Sequence, residues 1–160
     1  MRSQLATLAA TPDVLAAVAA GNNRHAAMDE AAILVADAEW RAEVGTTNDG
    51  MITAMTESPA SAALRAMVEA SNGQITEIIV MDNKGMNAAI SAVTSDYWQG
   101  DEAKFQETYP KGAAAIHVAE IEFDESSQIY QQQISVTLVD PALGQPVGAV
   151  TFGLDAGAFY

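Results

Sequence analysis

At Gln74 the sequence changes its periodicity, and that change constrains the fold more than any other feature. Before it, apolar residues recur at helical spacing in an alanine-rich chain: Leu5, Leu8 and Ala9, then after Pro12 Val14, Leu15 and Val18. After it, β-branched runs alternate with turn residues. Ile75 to Met81 reads as a strand, Asp82-Asn83-Lys84-Gly85 as a turn, and Asn87 to Val93 as the returning strand. Three more strands are expected from Ile116 to Phe123, Gln128 to Val139 and Val147 to Leu154, joined by turns at 124–127 and 140–146. Short turns favour antiparallel neighbours, so the second half is expected to be one meandering sheet. Helices followed by an antiparallel sheet define an α+β domain. One domain, 1–160, is expected, with a helical part at 1–73 and a sheet at 74–160 that carries an insertion at 94–112.

The helix boundaries follow from local chemistry. Thr11-Pro12 starts or restarts a helix, with Thr11 as cap and Pro12 in the first turn, and Gly21-Asn22-Asn23 is expected to break it. Asp29 caps a second helix running to about Glu43 and including Trp40, which is expected to serve helix packing. Residues 45–50 form a polar turn, and Met51 to Met55 a short helix. Ser58-Pro59 starts another helix, which Asn72-Gly73 stops.

Composition excludes several functions. Twenty-one acidic residues against seven lysines and arginines give a formal charge of −14, which disfavours nucleic acid and anionic lipid as partners. With no cysteine there are no disulfides, thiolate metal sites or cysteine nucleophiles. No run reaches the roughly 18 apolar residues of a membrane span, and the N-terminus lacks the regions of a signal peptide. If the protein is exported, its signal or anchor is expected to lie outside this stretch.

Chemistry concentrates in Thr94-Ser95-Asp96-Tyr97-Trp98-Gln99-Gly100-Asp101-Glu102-Ala103-Lys104-Phe105. Two large aromatics with polar handles, an amide, three carboxylates and a lysine around one glycine suit a small ligand that is both stacked and hydrogen-bonded. A surface loop with Trp98 as its core anchor is the competing reading. Strand faces are read by alternation. His117, Ala119, Ile121 and Phe123 then share a face, as do Tyr130, Gln132, Ile134, Val136 and Leu138. Asp155 falls with Ala149, Thr151 and Gly153, whose small side chains leave room for a ligand. His117, Tyr130 and Asp155 are expected to point to the side of Trp98. Asp82 and Asp140 read as turn residues. The two histidines, His25 and His117, fit no zinc, nucleophile or phosphate-loop motif, so no catalytic residue, metal or cofactor is expected.

With the long N-terminal helices, the strand Ile75 to Asp82 with its Lys84-Gly85 turn, the run from Val93 to Lys104 and the final Gly148 to Asp155, the chain resembles the Cache family of PAS-like extracytoplasmic bacterial sensor domains. The resemblance implies N-terminal helices on a five-stranded antiparallel PAS-like sheet, with a ligand between the sheet and the segment after the second strand. By position it assigns Tyr97, Trp98 and Gln99 to the lid, Tyr130 to the floor and Asp155 to an acidic position. Amino-acid-binding members place an arginine beside the aromatic pair; this chain has none there, and Lys104 is the nearest cation in sequence.

The resemblance further implies a periplasmic or extracytoplasmic input domain for signal transduction or chemotaxis, with a membrane-anchored partner or a transmembrane segment outside this stretch, and a homodimer through the N-terminal helix. The expected ligand is a small polar metabolite. A short organic acid comes first, with Lys104, His117 and backbone amides as donors, and a cationic amine held by Tyr97, Trp98, Asp96 and Asp155 comes second. The alternative from another class is a ligand-free structural or interaction domain that meets a protein through Tyr97 and Trp98.

Overall fold

The structure, a computed structural model, describes residues 2–125 and 127–158. The turn expected at 124–127 therefore includes Ser126, which lies outside the described residues. Helices come first: α1 (Arg2–Ala9), α2 (Pro12–His25), α3 (Glu30–Glu43), α4 (Gly50–Thr56) and α5 (Pro59–Ala70). Thr11, Asp29 and Ser58 each accept a hydrogen bond from a first-turn N–H, those of Val14, Ala32 and Ser61. Pro12 and Pro59 stand in the first turn, where a helix needs no N–H. The break expected at Gly21-Asn22-Asn23 does not occur. Val14, Val18, Gly21 and His25 form one buried stripe of α2, and a Cβ on Gly21 would sit 3.0 Å from a carboxylate oxygen of Asp82. Glycine here permits close approach of a helix to a turn.

The strands β1 (Ile75–Met81), β2 (Asn87–Ile90), β3 (Ile116–Asp124), β4 (Ile129–Asp140) and β5 (Gln145–Asp155) form one antiparallel sheet in the order β2-β1-β5-β4-β3. The α+β class and five antiparallel strands are as expected, but the sheet is not a meander. The connection 91–115 carries the chain across one face to the far edge, which leaves the second edge of β1 for β5. This crossover contains α6 (Ala103–Gln106) and a 3-10 turn at Tyr109–Lys111. β2 ends at Ile90 rather than Val93, where Ser91 turns its hydroxyl to accept the N–H of Ile78.

Both faces of the sheet are covered over its central strands, whereas Val118, Ile121 and Phe123 of β3 are exposed. On one, Ile78, Val80, Val136, Leu138, Val150 and Phe152 pack against Val14 and Val18 of α2 and Ala60 and Leu64 of α5; burying such a side chain contributes about 1.5–3 kcal/mol. On the other, Ile79, Met81, Ile90 and Ala149 meet Ile33 and Trp40 of α3, Ile52 of α4, and Tyr97 and Phe105 of the crossover. The hydroxyl of Thr137 on β4 donates to the carbonyl of Gly112 at 2.8 Å, tying down the end of the crossover.

Strict alternation fails on β3. His117 pairs with Ser135 and Val118 with Ile134, but Ile121 pairs with Gln132 and Phe123 with Tyr130. One extra β3 residue is accommodated between Val118 and Ile121, and such a bulge reverses every face beyond it. His117 and Glu122 therefore share the crossover face with Ser135 and Gln131. Ile121, Phe123 and Tyr130 turn to the opposite face.

Candidate functional site: a polar cavity under the crossover

An open cavity of about 640 Å³ lies between the crossover and the end of the sheet where β1 begins and β3 ends. Glu77 and Ile79 of β1 and Gln131 and Gln133 of β4 form its floor. Thr94, Ser95, Gln99, Glu102 and Lys104 come from the crossover, and His117, Glu120 and Glu122 from β3.

Side chains that reach across a strand organise this floor. One carboxylate oxygen of Glu77 accepts hydrogen bonds from Nε2 of Gln131 at 2.9 Å and from Nε2 of Gln133 at 3.2 Å. Between them runs β5, where Gly153 pairs with Glu77 on one side and with Gln133 on the other. A Cβ on Gly153 would lie 2.2 Å from Nε2 of Gln131 and 2.8 Å from Cγ of Glu77. Only glycine leaves the space in which the glutamines reach the carboxylate.

The lining is acidic. Glu77, Glu102, Glu120, Glu122, Asp124 and Glu125 face or rim the cavity against a single lysine, Lys104. Lys104 is itself engaged, with its Nζ 3.1 Å from a carboxylate oxygen of Glu102. The bulge in β3 is what brings Glu120 and Glu122 to this side.

Three of the sequence-derived residues, Gln99, Lys104 and His117, line the cavity together. Tyr97 turns the other way. It is 3 % exposed, stacks on Trp40 at 5.4 Å, and holds its hydroxyl 3.2 Å from Nε2 of His25. Trp98 donates its indole N–H to the carbonyl of Lys84, and Asp96 pairs with Arg41 at 3.0 Å. Tyr130 lies on the helix face of the sheet, 61 % exposed and edge-on to Phe123. Asp155 is on the crossover face, opposite Gln131, but outside the cavity, and it accepts the N–H of Gly157. His117, Tyr130 and Asp155 thus do not share one side, because the alternation of β4 sends Tyr130 away from Gln131 and Asp155. Asp140 accepts the N–H of Ala142 in its turn, as expected.

Sequence reasoning missed Glu77, Gln131 and Gln133. The available signal was the repeat of Gln131, Gln133, Ser135 and Thr137 at alternate positions, in register with Gly153, Thr151 and Ala149 of β5. A polar strand face opposite a row of small residues is covered by something other than an apolar core.

Asp37 of α3 holds the crossover in place. One of its oxygens accepts the N–H groups of both Tyr97 and Trp98 at 2.9 Å, and the other meets Arg41 at 2.8 Å. Burial raises the Tyr97 hydroxyl above its ordinary 10.0; nearby Arg24 opposes the rise and Asp82 adds to it. Below that ordinary value both folded and unfolded chains keep the proton. Above it the unfolded chain loses the proton first, so stability falls as pH rises toward the folded value. Tyr97→Phe is expected to reduce that alkaline loss while costing about 1 kcal/mol at neutral pH for the missing hydrogen bond. Urea midpoints of both proteins at about pH 8 and about pH 11 check it; equal alkaline losses would contradict it.

The fold is the Cache-type α+β fold, N-terminal helices on a five-stranded antiparallel sheet. The extracellular domain of rpHK1S-Z16, assigned to the histidine kinases, superposes with a TM-score of 0.51 at 18% identity, over 74% of this chain and 50% of that one. The ligand-binding domain of the Pseudomonas aeruginosa PAO1 amino acid chemoreceptor PctC, solved with GABA, gives 0.49 at 11% identity, over 74% and 48%. The sensor domain of the V. cholerae histidine kinase DctB gives 0.44 at 11%, over 76% and 43%. The chain thus spans half or less of the length of these structures. No protein-family profile and no curated protein sequence matches it. Among the described residues, no helix is long and apolar enough to cross a membrane.

Proposed function

We propose that the domain is an extracytoplasmic sensor module that captures a small cationic metabolite, an amine or diamine, in the cavity under the crossover and does no chemistry on it. The observation that carries this reading is the Glu77 carboxylate, fixed on the floor by Gln131 and Gln133 amid an excess of carboxylates, with the one lysine already paired. At an effective dielectric near 20, a unit charge about 4 Å from Glu77 feels about 4 kcal/mol, attractive for an ammonium and repulsive for a carboxylate. The amine, second in order from sequence, therefore comes before the organic acid. Glu77, Gln131, Gln133, Gln99 and His117 are the proposed contacts, and Asp96, Tyr97 and Trp98 set the shape of the lid from behind. A protein-interaction role for the aromatic pair has less support, because Tyr97 is buried and Trp98 donates inward.

Transmission follows the same residues. A ligand that moves the crossover pulls on Tyr97, whose hydroxyl meets His25 at the end of α2, and a ligand that favours one position of that contact shifts the helix population with it.

Calorimetry with butane-1,4-diamine and succinate, on wild type and Glu77→Gln, tests the reading. The diamine is expected to bind and succinate not to, and Glu77→Gln to weaken the diamine at least about tenfold, or about 1.4 kcal/mol. Binding of succinate alone would restore the acid. Diamine affinity unchanged in Glu77→Gln would remove the floor from the site.

A further inference from the structure

A second cavity, of about 500 Å³, lies on the other side of the crossover loop, between α2 and the α4–α5 corner. Its body is apolar. Ala16 and Ala20 of α2 face Met51 and Met55 of α4, and the flexible methionine thioethers adapt to ligands of different shape. Two polar groups stand at one end: the Tyr97 ring reaches its wall, and the Arg24 guanidinium sits beside the Tyr97 hydroxyl.

Among the described residues Arg24 has no carboxylate partner, and unlike Arg65 and Lys84, which donate to backbone carbonyls, it lines a cavity. Arg41 holds two carboxylates, Asp37 and Asp96, and Lys104 holds Glu102. The nearby carboxylate of Asp82 is committed to His25. Asp13, which also lines the cavity, lies eleven residues earlier on α2, roughly 16 Å along the helix axis and out of reach of a group bound at Arg24. The cavity therefore has a cationic end, a hydroxyl beside it and an apolar trough leading away.

We propose that this second cavity binds a short-chain monocarboxylic acid, with its carboxylate on Arg24 and the Tyr97 hydroxyl and its aliphatic body between Ala16, Ala20, Met51 and Met55. A guanidinium matches a carboxylate with two parallel hydrogen bonds, which a neutral head group cannot reproduce. Tyr97 lines this cavity, while its neighbours Thr94, Ser95 and Gln99 line the other. The inference does not depend on what the first cavity binds.

Methionine-methyl NMR of the whole domain tests it, with sodium hexanoate, hexan-1-ol and hexylamine as probes. Hexanoate is expected to shift the Met51 and Met55 methyl signals saturably, with hexanol and hexylamine each at least about tenfold weaker and Arg24→Gln at least about tenfold weaker for hexanoate. Arg24 is exposed, so the variant keeps the fold, and the comparison of head groups on the wild type needs no variant. Hexanol binding as well as hexanoate, affinity unchanged in Arg24→Gln, or shifts confined to methionines outside this cavity would each overturn the proposal.

Discussion

Asp82→Ala is expected to lower the stability of the domain by about 3–5 kcal/mol, because it takes the acceptor away from several buried donors at once. Its carboxylate is fully buried. One oxygen lies 2.5 Å from Nδ1 of His25, and the other accepts the N–H groups of Lys84 at 2.9 Å and Met86 at 3.1 Å. Alanine would leave an imidazole without its partner and two turn N–H groups without an acceptor, each of which costs about 1–3 kcal/mol when buried. The substitution also acts on a junction. Asn22 accepts the N–H of Asn83 and donates to the carbonyl of Val147, and Nζ of Lys84 donates to the carbonyls of Ala26 and Met28. These bonds keep the end of α2 near the turn, so loosening rather than full separation is expected.

Asp82→Asn retains an acceptor for the turn and is expected to cost less than Asp82→Ala. Urea unfolding followed by circular dichroism measures both. A loss below about 1 kcal/mol for Asp82→Ala would mean that the junction does not hold the helix.

The second large effect is expected at Asp37. Asp37→Ala removes the acceptor of the Tyr97 and Trp98 N–H groups at a residue 4 % exposed, for an expected cost of about 2–4 kcal/mol. Little of this comes from the ion pair, because the Arg41 side chain is 58 % exposed and such pairs contribute at most about 1 kcal/mol. Arg41→Ala is accordingly expected to cost less than about 1 kcal/mol. The two variants separate the backbone acceptor from the charge. Hydrogen exchange at the amides of Tyr97 and Trp98 should speed up strongly in Asp37→Ala and only slightly in Arg41→Ala, since only the former frees these N–H groups. Equal acceleration in both would assign the anchoring to the ion pair.

Much of the candidate site was legible in sequence as a region, and little of it as a set of side chains. Part of the run 94–105, namely Thr94, Ser95, Gln99, Glu102, Ala103 and Lys104, lines the cavity, while Gly153 of β5 leaves room for the glutamines that cross to Glu77. Yet Tyr97 and Gln99, two positions apart, serve opposite sides of the crossover: Gln99 lines the first cavity, while Tyr97 is drawn into the pocket made by Trp40, His25 and the backbone anchor Asp37. All three of those partners lie at least 57 residues away in the chain, where no local pattern records them. Gln131 and Gln133 read as an outward polar face because nothing near them in sequence marks the crossover that covers them or the glutamate they hold.

The sequence by itself determined the caps at Thr11, Asp29 and Ser58, the turn at 82–85, the start of β1 and the α+β order of the elements. Each of these rests on interactions within about four residues, where backbone donors, side-chain acceptors and alternation act directly. Tertiary structure alone decided that α2 runs through Gly21, that β5 enters between β1 and β4, that a bulge in β3 turns Glu122 inward and Phe123 away, and that Glu77 lies under two glutamines. Those outcomes depend on which distant surfaces meet, and in each case a missing Cβ, an extra strand residue or a buried carboxylate takes its role only from a partner that folding brings to it.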